Sequence, residues 1–342
     1  MRRLPGFVTA ILILAPAFAQ SVQLSLDASE ADAALAILQK EAAHVNVDTA
    51  DWEALFSTEP YRRLKVREAS INNAFTDDAF KAFLSAPETT AQTQELERTL
   101  QTWKRTDLSA LGERVLDYLP EGATIRAKVY PEIKPARNSF VWGPEGDRAI
   151  FLYLNPSLSA VQFANKVAHE SHHVGLDSLS QQQEAVLRNL AEPQKKAVRW
   201  LGSFGEGEAM LAAAGSPSVH PHAQDDEAAR TRWDNEIGLF KENLAAVERF
   251  LLDILDGRIT DPAQIERAAQ PFYGEQGAWY TVGYRMASMV ELRFGRRALT
   301  EAMIDPRKLL MLYNRAAAEQ NQELKIHLAL WSAELLARLD AR

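Results

Sequence analysis

The sequence predicts an α+β fold that is mostly α-helical, with a small sheet ahead of one central helix and a helical second half. Three observations predict this class. Alternating or β-rich segments are confined to residues 122–155. Helical spacing of apolar residues runs through most of the remaining chain. A hydrophobic fraction of 46% over 342 residues is enough to bury one large core or two smaller ones.

The first 19 residues have the pattern of a signal peptide. Arg2 and Arg3 precede an apolar run at residues 7–18, and residues 17–19, Ala-Phe-Ala, have the small-x-small pattern of a cleavage site. The run is too short to span a bilayer comfortably, and no later segment is apolar for long enough. We therefore expect cleavage before Gln20, a periplasmic or secreted protein, and no stable membrane insertion after cleavage.

The chain contains no cysteine and carries a formal net charge of -8. The absence of cysteine excludes disulfides, thiolate catalysis and cysteine-ligated zinc. The excess of acidic residues argues against nucleic acid or an anionic membrane as a partner. The sequence does not indicate the oligomeric state.

Residues 20–120 are predicted to form a helical N-terminal region. The patterns favour short helices at 27–43, 51–56 and 76–84, with a further helix start at 58–61. A polar linker at 87–94 then precedes one long amphipathic helix at 95–119. No motif with a chemical role lies here. The region is interpreted as a helical support or lid for residues 121–342.

The small sheet is predicted from three segments in which β-rich patterns alternate with turn residues. These segments are 124–130, 138–142 and 149–154. They lie directly ahead of the central helix, so we expect the sheet to pack against it.

The central helix is predicted over residues 159–175. Ser159 and Gln162 have the spacing of a capping box, and Leu158 and Phe163 have that of a hydrophobic staple. Gly175 is expected to end the helix. These local signals predict a helix around the motif that it carries.

That motif is His169-Glu170-x-x-His173. Residues four apart lie on one face of a helix, so the two imidazoles can bind one metal ion. Glu170, one position along, lies beside the open coordination position, where a general base for metal-activated water is needed. The alternative is a partly exposed helix with several polar residues in a row.

The chain after Gly175 is predicted to be helical, apart from a loop at 216–225. The predicted helices are 181–200, 204–214, 226–255, 277–294, 306–318 and 321–338. Two histidines leave a catalytic zinc ion one protein ligand short. Glu206 and Glu208, at the start of the second of these helices, are candidates for that ligand. The alternative for both is a pair of solvated acids at a helix start, where the helix dipole favours negative charge.

Two motifs together carry a resemblance to a known family. His-Glu-x-x-His at 169–173 followed by Glu-Gly-x-Ala at 206–209 resembles the gluzincin metallopeptidases, including the aminopeptidase-N-like enzymes. The chain is still more similar to a group of uncharacterised bacterial zinc-dependent peptidases with a signal peptide, a helical N-terminal part and a late Tyr-x-x-Gly motif. The motifs cover residues 168–283.

The resemblance implies a zincin-like catalytic region at 121–342, with Zn²⁺ as the cofactor and a peptide or protein as the substrate. It implies His169, His173 and Glu206 as the metal ligands, with Glu206 preferred to Glu208. The chain departs from the aminopeptidase pattern because 32 residues, 174 to 205, separate the second histidine from this glutamate. The insertion must therefore leave the first helix and return alongside it.

Tyr280 and Tyr284 match the tyrosine that gluzincins of this kind direct at the tetrahedral intermediate. Tyr280 is preferred, and the alternative for either residue is an aromatic that only packs. His220 and His222 could take the same role from their loop. His172 is expected to be exposed or to lie behind the ligands.

Two questions stay open at this point. The sheet could bind an extended peptide by strand addition, or it could only pack on the helix. The protein could also be a catalytically inactive, zincin-like binding or scaffold protein of the cell envelope. No Gly-x-Met-Glu-Asn motif for binding a free amino terminus is present in the sequence, which slightly disfavours an aminopeptidase.

Overall fold

The computed structural model describes residues 20–144, 146–274 and 276–340. The predicted signal peptide, residues 1–19, lies outside the described residues. Among the described helices, none is both long enough and apolar enough to cross a membrane.

The sheet has four strands: β1 (Ser21–Leu26), β2 (Thr124–Glu132), β3 (Phe140–Trp142) and β4 (Arg148–Tyr153). Their order is β1-β2-β4-β3, in which β1, β2 and β4 are parallel and β3 is antiparallel to β4. The last three confirm the predicted segments. The prediction of an entirely helical N-terminal region was wrong, because β1 pairs with a strand about one hundred residues later, Ser21 opposite Thr124.

The N-terminal helices precede β2. They are α1 (Ser29–Ala42), α2 (Thr49–Phe56), α3 (Glu59–Ser70), α4 (Asp77–Leu84), α5 (Pro87–Thr90), α6 (Thr93–Trp103) and α7 (Leu108–Leu116). The predicted single helix at 95–119 is divided between α6 and α7. Asp107 causes the division, because its carboxylate accepts a hydrogen bond from the backbone N–H of Ala110 and so caps a new helix.

Eleven further helices among the described residues follow the sheet. They are α8 (Ala160–Asp177), α9 (Ser180–Leu187), α10 (Glu192–Leu201), α11 (Gly205–Ala214), α12 (Glu227–Gly238), α13 (Phe240–Leu255), α14 (Pro262–Ala269), α15 (Ala278–Phe294), α16 (Arg296–Ala302), α17 (Pro306–Leu324) and α18 (Ala333–Asp340), with 3₁₀ turns at Gly202–Phe204 and Gln270–Phe272. The predicted helix at 181–200 is two helices, α9 and α10, since Pro193 starts the second.

The two larger of three hydrophobic cores among the described residues lie on either side of α8 and α11. The first joins buried residues of the N-terminal helices, the sheet and α8. The second joins buried residues of α10 to α18. Residues from both sides of position 120 thus share the first core, and Trp103 of α6 stacks on Phe163 of α8 with ring centroids 4.3 Å apart.

The expectation that Gly175 ends the central helix was wrong. Helix α8 continues to Asp177, whose carboxylate pairs with Arg148 at 2.6 Å. A Cβ atom on Gly175 would lie 2.2 Å from a methyl carbon of Leu119 and 3.2 Å from a side-chain carbon of Ile125. Glycine is therefore needed at this position because α8 packs closely on β2 and the segment before it.

Candidate metal centre

Helix α8 places two imidazoles on one face. The capping box is present: the backbone N–H of Ser159 donates to the Gln162 side chain at 2.9 Å, and the N–H of Gln162 donates to the Ser159 hydroxyl at 3.3 Å. The helix then carries His169 and His173 one turn apart, with their Nε2 atoms separated by 3.2 Å. The predicted helix start is confirmed. The capping box fixes the first turn of α8, ahead of the turns that carry His169 and His173.

Helix α11 brings the third side chain. The chain leaves α8, forms α9, α10 and the 3₁₀ turn, and returns so that α11 packs against α8. The Oε2 atom of Glu206 lies 3.2 Å from Nε2 of His169 and 3.3 Å from Nε2 of His173. These three residues form a group that could hold a metal ion. The insertion therefore returns as the sequence required.

The distances within this group fit zinc. A tetrahedral zinc ion bound by nitrogen and oxygen atoms at about 2.0–2.2 Å has ligand atoms roughly 3.3–3.6 Å apart. The observed separations of 3.2 to 3.3 Å match this spacing. The side chains of His169, His173 and Glu206 are 16%, 27% and 22% exposed, so each is held by its surroundings yet reachable from solvent.

In the metal-free group, His173 is protonated and Glu206 is ionised. Burial by itself would lower the pKa of His173, but the charge and hydrogen bond of Glu206 outweigh it and raise the pKa to about 9. Burial by itself would raise the pKa of Glu206, but the charge of His173 and the hydrogen bonds from both histidines hold it well below its usual range. The carboxylate is thus ionised and ready to bind a cation.

Glu170 follows His169 on α8 and is close enough to this group to act on it electrostatically. Its negative charge acts on both His173 and Tyr280, and its side chain is half-buried. A carboxylate adjacent to a metal group and to a hydroxyl donor is suitably placed to take up and release a proton.

Helix α15 brings Tyr280, but not Tyr284, to the group. The Tyr280 ring lies parallel to the His169 ring, at 13° and with centroids 6.3 Å apart. Burial, together with the nearby Glu206 carboxylate, raises the pKa of its hydroxyl. The Tyr284 hydroxyl instead donates to the backbone carbonyl of Val219 at 3.2 Å. The Tyr284 hydroxyl therefore has a partner outside the metal group.

Two glycines allow α11 and α15 to cross in backbone contact. A Cβ atom on Gly207 would lie 2.0 Å from the backbone nitrogen of Tyr284 and 2.5 Å from the carbonyl oxygen of Tyr280. A Cβ atom on Gly283 would lie 2.6 Å from the carbonyl oxygen of Phe204. These are the glycines of the Glu-Gly-x-Ala and Tyr-x-x-Gly motifs, whose role in helix packing no local sequence pattern reports. The crossing places Glu206 next to Tyr280.

Two further candidates on α8 and α11 lie outside the metal group. Glu208 is buried, and burial raises its pKa to about 7. His172 is fully buried, so of the two expected placements exposure is wrong, and its Nε2–H donates to the carbonyl oxygen of Tyr118 at 3.2 Å. Burial, together with its two neighbouring histidines, lowers the pKa of His172 to about 3, so this imidazole is neutral.

The loop at 216–225 is tied to α8 and α12. The Nδ1 atom of His222 lies 2.7 Å from an Asp225 carboxylate oxygen, and the Gln162 amide donates to the other oxygen at 3.0 Å. His220 lies 3.2 Å from the Asp234 carboxylate. Both histidines thus have acidic partners of their own, outside the metal group.

The fold is mostly helical with a small sheet, and two facing helices carry a His-His-Glu group. This combination indicates a metal-binding protein. Comparison with protein-family models matches residues 52–322, from α2 to α17, to one family. The chain belongs to the family described as "Putative zinc dependent peptidase (DUF5700)". Zn²⁺ is the cofactor in that description, and the group of His169, His173 and Glu206 could hold it. No curated protein and no solved structure matches the chain.

Proposed function

We propose that this protein hydrolyses peptide bonds, with Zn²⁺ held by His169, His173 and Glu206 and with Glu170 as the general base. The observation that carries the proposal is the triangle of ligand atoms with edges of 3.2 to 3.3 Å. The family description supports the reaction class and does not favour the alternative of an inactive scaffold.

The chemistry divides between the metal and the side chains of the chain. Zn²⁺, when bound, supplies a Lewis acid that polarises the scissile carbonyl and makes water more acidic. The Glu170 carboxylate takes a proton from the attacking water and returns it to the leaving amine. The Tyr280 hydroxyl donates a hydrogen bond to the oxygen that becomes negative in the transition state.

We further propose a peptide or protein substrate encountered in the periplasm or outside the cell. The signal peptide pattern at residues 1–19 supports this compartment. Strand β3 lies at one edge of the sheet and contacts α8. We propose that its free edge binds an extended substrate by strand addition.

The experiment replaces Glu170 by Gln, which keeps the size of the side chain and removes its basicity. We expect turnover of a peptide library to fall by at least about 10²-fold, while zinc content measured by atomic absorption stays at one per chain. Glu206→Ala should lose both zinc and turnover. Glu242→Gln, an exposed residue on α13, serves as the matched control and should keep both.

Activity of Glu170→Gln equal to that of the parent protein would end the proposed role of this residue. Absence of stoichiometric zinc, together with no change in metal content in Glu206→Ala, would favour the scaffold alternative.

A further inference from the structure

A cavity lies behind the metal group, where the second core meets α8 and α11. Its volume is about 160 Å³, and apolar side chains of α10 and α17, among them Val198, Leu201 and Leu309, form much of its wall. Glu184 and Arg199 also line it, pair with each other at 3.1 Å and are mostly exposed, so this ion pair marks the mouth. The cavity therefore opens to solvent beside α9 and α10, and Glu206 is not among its lining residues.

A carboxyl group belongs to the wall of this cavity. Glu208 is 5% exposed, and no hydrogen bond or ion pair within 4.0 Å joins its carboxyl group to another described residue, although the charge of His173 acts on it from a greater distance. It lies on the opposite side of α11 from Glu206, because two positions correspond to about 200° on a helix. Buried carboxyl groups are normally hydrogen-bonded or paired with a cation. The structure thus contains an apolar space with one polar group that lacks a partner.

The size and chemistry of the cavity together define a ligand class. A dry, apolar cavity of about 150 Å³ is large enough to bind benzene, so there is room for about six non-hydrogen atoms. A buried carboxyl group is best matched by an ionic donor, because charge-assisted hydrogen bonds are stronger than neutral ones. A short hydrocarbon with a terminal ammonium group meets both conditions.

We propose that this cavity is a second binding site, for a small primary amine whose ammonium group pairs with Glu208 and whose hydrocarbon body lies between α10 and α17. Leu176 and Gly205 also line the cavity and belong to the helices that carry His173 and Glu206. An occupant therefore contacts the two elements that position the metal group without touching the ligands themselves. The site does not depend on the proposed peptidase activity.

The test measures binding of n-pentylamine and of 1-pentanol, its neutral counterpart, to the purified protein by titration calorimetry and by amide NMR shifts. We expect the amine to bind at least tenfold more tightly than the alcohol. Glu208→Gln should weaken amine binding at least tenfold, and Val198→Phe, which fills the cavity, should abolish it. Glu242→Gln should leave it unchanged.

Several outcomes would overturn the site. They are an absence of amine binding, equal binding of the alcohol, and amine binding that ignores the change at Glu208. An amine bound at the metal group would ignore both Glu208→Gln and Val198→Phe. If Val198→Phe fails to fold, the comparison of Glu208→Gln with the parent protein still decides the question, because Gln has nearly the same shape as Glu.

Discussion

Tyr280 and Tyr284 lie one helical turn apart on α15, yet their hydroxyls have different partners. The first lies near the Glu206 carboxylate, which helps to raise its pKa, and the second donates to the carbonyl oxygen of Val219. The Tyr284 ring also packs edge-on against Trp233, with centroids 5.3 Å apart. The difference arises because α15 faces α11 on one side and the loop at 216–225 on another.

This geometry predicts different results for two otherwise equal substitutions. Tyr280→Phe should lower kcat by about 10²-fold with little change in zinc content, because it removes one donor to the developing negative charge. Tyr284→Phe should keep kcat near that of the parent protein and lower the free energy of unfolding by about 0.5–1.5 kcal/mol, since it removes one buried hydrogen bond. Steady-state kinetics and urea unfolding measure the two quantities. A larger loss of kcat in Tyr284→Phe would contradict the assignment.

The charge state of His173 predicts how zinc binding depends on pH. In the metal-free protein this residue has a pKa of about 9, so below that pH zinc must displace a proton to bind its imidazole. The apparent affinity should therefore rise roughly tenfold per pH unit between about pH 7 and 8.5. Competition with a chelator of known affinity measures this slope.

Glu206→Gln provides the matching comparison for that slope. It removes the negative charge that raises the pKa of His173, so the affinity should be weaker and should level off at a lower pH. An affinity that does not change with pH in the parent protein would contradict the described protonation of the group.

At the scale of elements, the crossing of α11 and α15 determines whether the metal group forms. Gly207→Ala should lower the free energy of unfolding by about 1–3 kcal/mol or more, because the new methyl group meets backbone atoms rather than flexible side chains. It should also weaken zinc binding by moving Glu206. Gly205→Ala is the control, since its methyl group would come no closer than 3.8 Å to Leu176. Equal stability of the two variants would show that the helices can separate without cost.

Several elements follow from short-range patterns, and others do not. The start of α8 was predicted because its capping box involves Ser159 and Gln162, three residues apart. The end of α8 was mispredicted because Gly175 serves a contact with Leu119, which no local pattern reports. Asp107 divides the predicted helix at 95–119 through a capping bond, although apolar spacing continues on both sides of it.

At the scale of the whole molecule, the metal group lies where the two hydrophobic cores meet. Helix α8, which carries both histidines, packs in the first core. Helix α15, which carries Tyr280, packs in the second. Helix α11, with Glu206, contacts both α8 and α15. The site is therefore complete only when the two halves of the chain have packed together.

A buried charge cluster joins the N-terminal region to the sheet far from this site. Glu30 of α1 and Glu132 of β2 are fully buried, and Lys134 lies 3.3 Å from Glu132. Glu68 and Arg67, at the end of α3, pair beside them and also act on Glu132. Burial, together with the neighbouring Glu132, raises the pKa of Glu30 well above its usual value.

This cluster predicts a stability that falls as pH rises. A carboxyl group whose pKa is higher in the folded than in the unfolded protein stabilises the fold. This contribution is complete below the unfolded-state pKa of about 4.5 and is lost as the pH rises through the folded-state pKa. Glu30→Gln, which cannot ionise, should match the parent protein near pH 4 and exceed its free energy of unfolding by about 1–3 kcal/mol at pH 8. Urea unfolding at several pH values tests this. A difference between the two proteins that stays constant with pH would contradict it.

The sequence by itself determined the fold class, the helix that carries His169 and His173, and the candidate ligand Glu206. Capping, helical periodicity and the spacing of a metal motif act over a few residues, so they can be recognised in the chain alone. Only the tertiary structure decided that β1 joins the sheet, that Tyr280 rather than Tyr284 lies at the metal group, and that Gly207 is needed at a helix crossing. These features depend on contacts between residues tens to a hundred positions apart, and they exist only once the segments have packed.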